Sequence, residues 1–328
     1  VQVVGQKIVV LGTGGTIAGT APSESATLAY SAAQIGVGQL VAAVPALAAA
    51  PLEIEQVLQV DSKDMDAEHW LSLAARCAAH LERDEVAGVV VTHGTDTLEE
   101  SAYFLHHVLA PRKPLVLTCA MRPATSVQSD GPQNLLDAVA VARSGRIVGV
   151  VAVCAGRVHG AVEVVKQHPY RLDAFCSGEG GPLAVVEEGR LRILRVLPPA
   201  SPGRREARLA SLPPARDWPW VEIVTSHACA DARLVDSLVR LGVGGLVVAG
   251  TGNGSVHHAL EVALLRAVDQ GVAVRRATRC AQGMVLPHGA DVLADSQGLS
   301  PVKARIALML DLMADAVTTS RPVSPPAP

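Results

Sequence analysis

Lys7-Ile8-Val9-Val10-Leu11-Gly12-Thr13-Gly14-Gly15-Thr16 is the stretch on which the fold turns. Five mostly apolar, β-branched positions run straight into glycines and hydroxyls, the pattern of a buried strand breaking into a tight turn. The same texture recurs at 57–60, 88–92, 115–119 and 147–154. Between these runs lie helix-length segments, 65–81, 98–109 and 133–143. In the first, Trp70, Leu71, Ala74, Cys77, Ala78 and Leu81 fall at helical spacing. Strands separated by helices of this length imply βαβ units and a mostly parallel sheet covered on both faces.

Around 197–219 the texture changes. Pro198, Pro199, Pro202, Gly203, Pro213 and Pro214 surround the charged run Arg204-Arg205-Glu206-Ala207-Arg208, which reads as an exposed linker. The alternation then resumes with strands at 221–225, 245–249 and 272–275 and helices at 232–241 and 256–269. Ser300-Pro301 reads as an N-cap followed by proline at the first helical position, opening a helix to about residue 316. The expectation is an α/β protein of two domains with mostly parallel sheets: a larger one over 1–197, a linker over 198–217 and a smaller one over 218–328. The tail from 321 is expected to fray.

The 328 residues are 49% hydrophobic and 18% charged with a net charge of −3, enough apolar content for a sizeable core. Lys and Arg are scattered, with no basic stripe or basic amphipathic helix, which excludes nucleic acid and membrane surfaces as expected partners. No apolar run reaches the ~20 residues of a membrane span, and no charged-then-apolar segment opens the chain, so a soluble protein is expected. A leader removed earlier would leave the same sequence. The compartment expected is the cytoplasm, with the periplasm as the alternative in that case. The six cysteines (Cys77, Cys119, Cys154, Cys176, Cys229, Cys280) form no CxxC or CxxH, so no zinc site is read, and those inside strand-like runs read as small buried hydrophobes.

In an open parallel sheet, ligands sit beyond the carboxyl ends of the strands. Four successive strand ends here carry hydroxyls, carboxylates and glycines. They are Gly12-Thr13-Gly14-Gly15-Thr16, then Asp61-Ser62-Lys63-Asp64, then Thr92-His93-Gly94-Thr95-Asp96-Thr97, then Arg122 with Ser129-Asp130-Gly131. The glycines do not fit a nucleotide site. No lysine follows them as in a phosphate loop, and Ile17 stands where a dinucleotide fingerprint needs glycine. In Gly250-Thr251-Gly252-Asn253-Gly254 the sixth position is Ser255. The first glycine turn instead reads as a device that leaves Thr16 exposed to a substrate. A hydroxyl is a weak nucleophile and needs a neighbouring base or proton-relieving network. Tyr30 on the same segment, or Thr95 and Asp96 with a lysine, are the candidates. Burial would free a lysine to take a proton, whereas Asp96 beside it would keep it charged.

Gly12-Thr13-Gly14-Gly15-Thr16-Ile17-Ala18-Gly19 and Thr92-His93-Gly94-Thr95-Asp96-Thr97 resemble the two signature segments of the bacterial-type L-asparaginase family. Ala120-Met121-Arg122-Pro123, Ser129-Asp130-Gly131-Pro132 and Asn134-Leu135 resemble its type II branch more than type I, and 250–254 with 299–305 extend the likeness over nearly the whole chain. The resemblance implies hydrolysis of the side-chain amide of L-asparagine to L-aspartate and ammonia, through a covalent acyl-enzyme and with no metal or cofactor. It implies Thr16 as nucleophile, Tyr30 as the lid tyrosine, and Thr95, Asp96 and Lys166 as the group that positions the attacking hydroxyl and later water. Gly15, Ser62, Lys63, Thr95, Asp96, Ala120 and Ser255 are the implied substrate-binding positions: Ser62 for the α-carboxylate, Asp96 for the α-amine, amides near Thr95 and Ala120 as oxyanion donors. A homotetramer built as a dimer of dimers is implied, with Ser255 reaching the site of a neighbouring subunit. The segment 18–29, rich in Gly, Ala, Ser and Thr, has the composition of a closing loop.

Two positions depart from the family pattern. Lys63 stands where Gln or Glu is usual. Aimed at a substrate α-amine, its ammonium would repel at ~4 Å by about 1 kcal/mol in water and about 4 kcal/mol at an effective dielectric of 20. Turned to solvent or to a carboxylate, it would not. The segment 283–296 lacks the glutamate that usually supports the lid tyrosine, leaving Asp291 or His288 as candidate substitutes, neither assigned, and lower activity or a lid that closes differently as the expectation. His93, His106, His107, His257 and His258 read as packed or surface groups. A glutaminase-asparaginase is the enzyme alternative. A tRNA-dependent amidotransferase subunit would carry an added N-terminal domain, and six residues precede the first strand. An amino-acid-binding protein without turnover is the non-enzyme alternative.

Overall fold

The computed structural model describes residues 6–25, 28–196, 209–286, 288–289 and 292–319. The charged run 204–208, the first half of the expected linker, Asp291 and the tail from 321 lie outside these residues. The chain divides into two compact units, Val1–Pro202 and Gly203–Pro328.

In the first unit, strand β1 (Lys7–Gly14) is followed by helix α1 (Val37–Ala42), β2 (Leu52–Val60), α2 (Ala67–Leu81), β3 (Val86–Thr92), α3 (Leu98–Leu109), β4 (Pro114–Thr118), α4 (Gly131–Arg143) and β5 (Gly149–Cys154). Shorter strands follow: β6 (Arg157–Gly160), β7 (Val165–Lys166), β8 (Phe175–Cys176), β9 (Ala184–Glu187) and β10 (Arg190–Ile193). The main sheet has the order β10-β9-β6-β5-β4-β3-β1-β2, parallel from β2 through β5 and antiparallel from β5 to β10. Ile8, Val9, Val10 and Leu11 are fully buried because both faces of the sheet are covered, so the strand reads as a continuous apolar run rather than an alternation. Val37 and Val41 of α1 and Leu135, Ala138, Val139 and Ala142 of α4 cover one face. Helices α2 and α3 lie against strands of the same sheet and against each other. Trp70 stacks on Phe104 at 5.0 Å and donates its indole N–H to Ser101 at 2.9 Å, so the large buried ring leaves no polar atom orphaned.

The second unit repeats the plan at smaller scale. Three parallel strands, β11 (Val221–Thr225), β12 (Gly245–Gly250) and β13 (Ala273–Thr278), lie in that order. Helices α5 (Arg233–Arg240) and α6 (His258–Asp269) supply Val235, Leu238, Leu260 and Leu264 to its core, and α7 (Pro301–Thr319) packs on the same strands. Ahead of β11, Trp218 donates its indole N–H to the Pro213 carbonyl at 3.0 Å.

Two features of the first unit positioned the site. The strand order β2-β1-β3-β4-β5 reverses direction between β1 and β3, and such a switch point is where open α/β sheets bind ligands beyond their carboxyl ends. Strand β2 begins five residues earlier than the apolar run at 57–60 suggests. Its Glu53 and Glu55 pair with Arg83 and Arg76 at the sheet edge, so charged residues occupy a strand that reads as loop.

Candidate active site

Two glycines bring the ends of β1, β2 and β3 into contact. Gly15 holds φ 77° and ψ −171°, a conformation essentially confined to glycine, and a Cβ there would lie 2.3 Å from the Gly94 Cα. A Cβ on Gly94 would lie 2.3 Å from Ser62 Oγ. The loop after β1 therefore rests backbone to backbone on the loop after β3, which rests in turn on the Ser62 side chain of the turn after β2.

That packing sets the polar groups. Thr16 is buried on a short 3-10 turn directly after Gly15, and its hydroxyl shares a 2.8 Å hydrogen bond with the Tyr30 hydroxyl. Tyr30 ends a loop whose base is closed by reciprocal Thr20–Ser31 backbone bonds of 2.9 Å. The same loop is tied to the segment after β4: Ala21 N–H donates to Thr125 Oγ1 at 2.9 Å and Ala124 N–H to the Gly19 carbonyl at 3.0 Å. Lys166 of β7 donates from Nζ to Thr95 Oγ1 at 2.8 Å and to Asp96 Oδ1 at 2.6 Å. Thr95 is buried, whereas the Asp96 side chain is 54% exposed, so the carboxylate stands between the lysine and solvent. Ser62 is buried and accepts from the Asp96 backbone N–H at 3.2 Å. The arrangement presents a buried hydroxyl with a phenol beside it, and an ammonium, hydroxyl and carboxylate in one hydrogen-bonded set. Such groups suit attack on a polarised carbonyl and binding of a small zwitterion.

Lys63 is tied to acidic neighbours. Its ammonium pairs with Asp64 and lies 3.5 Å from Asp61; the Asp64 bond and these charges raise its pKa. Of the two orientations open to it, the structure has the one held by carboxylates. Ala120 is fully buried, and the chain around it is pinned by Asp130, whose carboxylate accepts from the N–H groups of Met121 and Arg122 at 3.0 Å. Asn134, four residues on, donates to Asp130 at 3.1 Å and to the Cys119 carbonyl at 2.9 Å. The sequence places Asp130 at a polar strand end and both residues in family-like segments without giving them a role; their spacing of four on one helix face is the signal for a joint one. Behind Ala120, the buried Cys119 and Cys154 thiols lie 3.2 Å apart. Ser255 is exposed in the second unit, where its backbone pairs reciprocally with Thr251.

His93 is fully buried with Nδ1 2.7 Å from the Gly94 carbonyl, and burial pushes its pKa down, so it is a neutral packed ring. Among the described residues no three His, Cys, Asp or Glu side chains gather as a metal site would need. No helix among them is long and apolar enough to cross a membrane. A cavity of about 280 Å³ in the second unit is bordered by Arg275, Asp295, Asp311 and Asp315 and includes none of the candidate residues.

Residues 7–198 match the family model "Asparaginase, N-terminal", and residues 220–319 match "Glutaminase/Asparaginase C-terminal domain". The chain is 38% identical over 310 residues to L-asparaginase 2 of Bacillus subtilis, covering 92% of this chain and 81% of that protein. It is 36% identical over 314 residues to the glutaminase-asparaginase of Pseudomonas fluorescens biotype A, covering 93% and 86%. Among solved structures, a probable cytoplasmic L-asparaginase from Campylobacter jejuni superposes with a TM-score of 0.86 at 35% identity, over 94% of this chain and 95% of that one. With both family models matched in order and the fold shared, this chain belongs to the bacterial asparaginase family, on its type II-like side.

Proposed function

We propose that the chain hydrolyses the side-chain amide of L-asparagine to L-aspartate and ammonia, with Thr16 as nucleophile. The observation that carries this reading is the buried Thr16 hydroxyl at the sheet's switch point, bonded at 2.8 Å to Tyr30. Thr16 Oγ attacks the amide carbon and its proton passes through the Tyr30 hydroxyl to the leaving nitrogen. Ammonia departs, leaving an aspartyl ester on Thr16. Water then attacks the ester, oriented by Thr95 and Lys166, and returns the proton to Thr16 as L-aspartate leaves. Backbone amides near Thr95 and Ala120 receive the negative oxygen in each tetrahedral state; one such donor is worth about 10²–10³ in rate. Ser62 takes the substrate α-carboxylate and the exposed Asp96 carboxylate its α-amine. Gly15 and Lys63, the latter held by Asp61 and Asp64, complete the substrate-binding positions.

The family membership supports an oligomer, and we assign a homotetramer, a dimer of dimers in which Ser255 completes a neighbour's site; sedimentation equilibrium measures it. The cysteine spacing favours the cytoplasm over the periplasm. The test of the reaction is ammonia release from L-asparagine and L-glutamine by wild type and Thr16→Ala. Expected is turnover of asparagine that falls at least ~10³-fold in the variant. Preferential release from glutamine would make the chain a glutaminase-asparaginase, the name one relative carries. No release from either amide by folded wild-type protein overturns the reading and leaves an amino-acid-binding protein.

A further inference from the structure

Lys166 sits on a two-residue strand, far in sequence from the Thr95 and Asp96 it bonds, and a strand that short does not hold a side chain in place by itself. Its antiparallel partner β8 contributes only Phe175 and Cys176. The connection between them, 167–174, carries exposed Tyr170 and Leu172. The amine must nevertheless stay within hydrogen-bond range of two oxygens. Within the hairpin the Gln167 and His168 N–H groups donate to the Ala174 carbonyl at 2.8 and 3.3 Å, but the N–H of Lys166 itself bonds outside it.

Glu99 meets that need. It is the second residue of α3, directly after the loop bearing Thr95 and Asp96, and its Oε1 accepts the Lys166 backbone N–H at 3.2 Å. The junction of that loop with the first turn of α3 therefore carries the two acceptors of the ammonium and grips the main chain of the residue that donates to them. Arg122, buried after β4, holds the far side of the hairpin: it donates to the Tyr170 carbonyl at 2.8 Å and lies 3.9 Å over the Tyr170 ring. We propose that Glu99 is a positioning residue of this site, acting through its bond to the Lys166 backbone to keep the ammonium on Thr95 and Asp96. The inference rests on the functional reading above, in which Lys166 serves the reaction.

A carboxylate in the first turn of a helix also favours that helix through its dipole, so a purely structural role must be separated. Glutamine separates them: it keeps an oxygen that accepts the Lys166 N–H and loses the charge that the dipole attracts. Ammonia release is measured for Glu99→Ala, Glu99→Gln and Lys166→Met, with the thermal midpoint of each. Misplacing a working group by about 1 Å costs up to ~10²-fold, so Glu99→Ala is expected to lower kcat about tenfold with KM within about twofold. Glu99→Gln should recover most of that loss even where its midpoint matches that of Glu99→Ala. If Glu99→Ala does not fold, Glu99→Met, which fills similar space without an acceptor, replaces it. A kcat loss below about fivefold in the acceptor-free variant, or a glutamine variant as slow as it, overturns the proposal. Lys166→Met with full turnover overturns the functional reading instead, so the two failures are distinguishable.

Discussion

Two glycine turns follow parallel strands in this molecule, and they do different things. Gly12-Thr13-Gly14-Gly15-Thr16 ends β1, and Gly250-Thr251-Gly252-Asn253-Gly254 ends β12. In the first, the missing Cβ of Gly15 admits a foreign segment, the backbone of Gly94. In the second, the missing Cβ of Gly250 admits the turn's own Gly254, which would lie 2.6 Å away. The second turn closes on itself through Thr251 and Ser255, and Asn253 ties it to both the N–H and the carbonyl of Leu286. Similar composition thus gives a junction between strand ends in one unit and, in the other, a hairpin that closes on its own backbone and is held by Leu286 and Thr278. A glycine run indicates close approach; what approaches is set by the neighbouring strands.

The largest effect is expected from breaking the junction. Gly15→Ala places a methyl 2.3 Å from Gly94 Cα in a backbone conformation that side chains do not adopt, and no flexible atom is there to yield. The loops after β1 and β3 must then separate, moving Thr16 relative to Thr95. Turnover should fall at least ~10²-fold and stability by about 3 kcal/mol or more. Steady-state ammonia release together with urea unfolding reads both. Wild-type turnover in Gly15→Ala would mean that contact between these loops does not set the site.

A smaller effect separates the units by acid. Burial lowers the pKa of His107, next to His106, to about 4, and burial with Arg157 and Arg195 lowers that of His159 to about 4. Both lie in the first unit. An unfolded histidine titrates near 6.5, so between about pH 6.5 and 4 the unfolded chain binds a proton that the folded one refuses. Stability is therefore full above about 6.5 and is lost as pH falls toward 4, on the order of 3 kcal/mol per histidine. Glu55, lowered to about 2 chiefly by its Arg76 bond, works the same way only below about pH 4.3. His159→Gln, which can still bond Ser177, should flatten the upper limb. An unchanged slope in urea midpoint between pH 6.5 and 4.5 would contradict this account.

The sequence made some of these features plain and hid others for physical reasons. Fully buried parallel strands must be apolar throughout, so β1, β3, β4 and β5 stand out, and α3 spans the 98–109 expected of it. Strands β6 and β10 do not, because four residues with Arg157 and His159, or Arg190 and Arg192, among them show no apolar run, and β9 has only Ala184, Val185 and Val186 before Glu187. Thr16, Ser62, Thr95 and Asp96 are legible because each follows a strand that is itself legible. Lys166 is not, and came only with the family resemblance, since its strand has two residues and its partners lie 70 positions away. Glu99 was harder still. Its partner is the backbone N–H of Lys166, a group every residue but proline carries, so no side-chain pattern points to it; Asp130 stood out at its strand end, but the Met121 and Arg122 N–H groups it accepts from did not.

The smallest effect belongs to the second turn and sharpens the contrast most directly. Gly252 has φ 48°, and a Cβ built there meets nothing within 4 Å. Gly252→Ala therefore costs only the left-handed backbone penalty of an alanine, about 1 kcal/mol, with no steric term. The Gly252 carbonyl accepts from Thr278 Oγ1 at 2.7 Å, a bond that a methyl on the Cα leaves in place, so ammonia release should stay within about twofold of wild type, well inside the change expected at Gly15. Turnover that collapsed while the thermal midpoint held would break the comparison. The hairpin would then do more than close on itself: the position of Ser255, three residues on, would matter to a reacting site. That result would favour a site completed by a neighbouring copy, and mixing Gly252→Ala with Thr16→Ala subunits would test it, since hybrids would regain the activity each parent lacks.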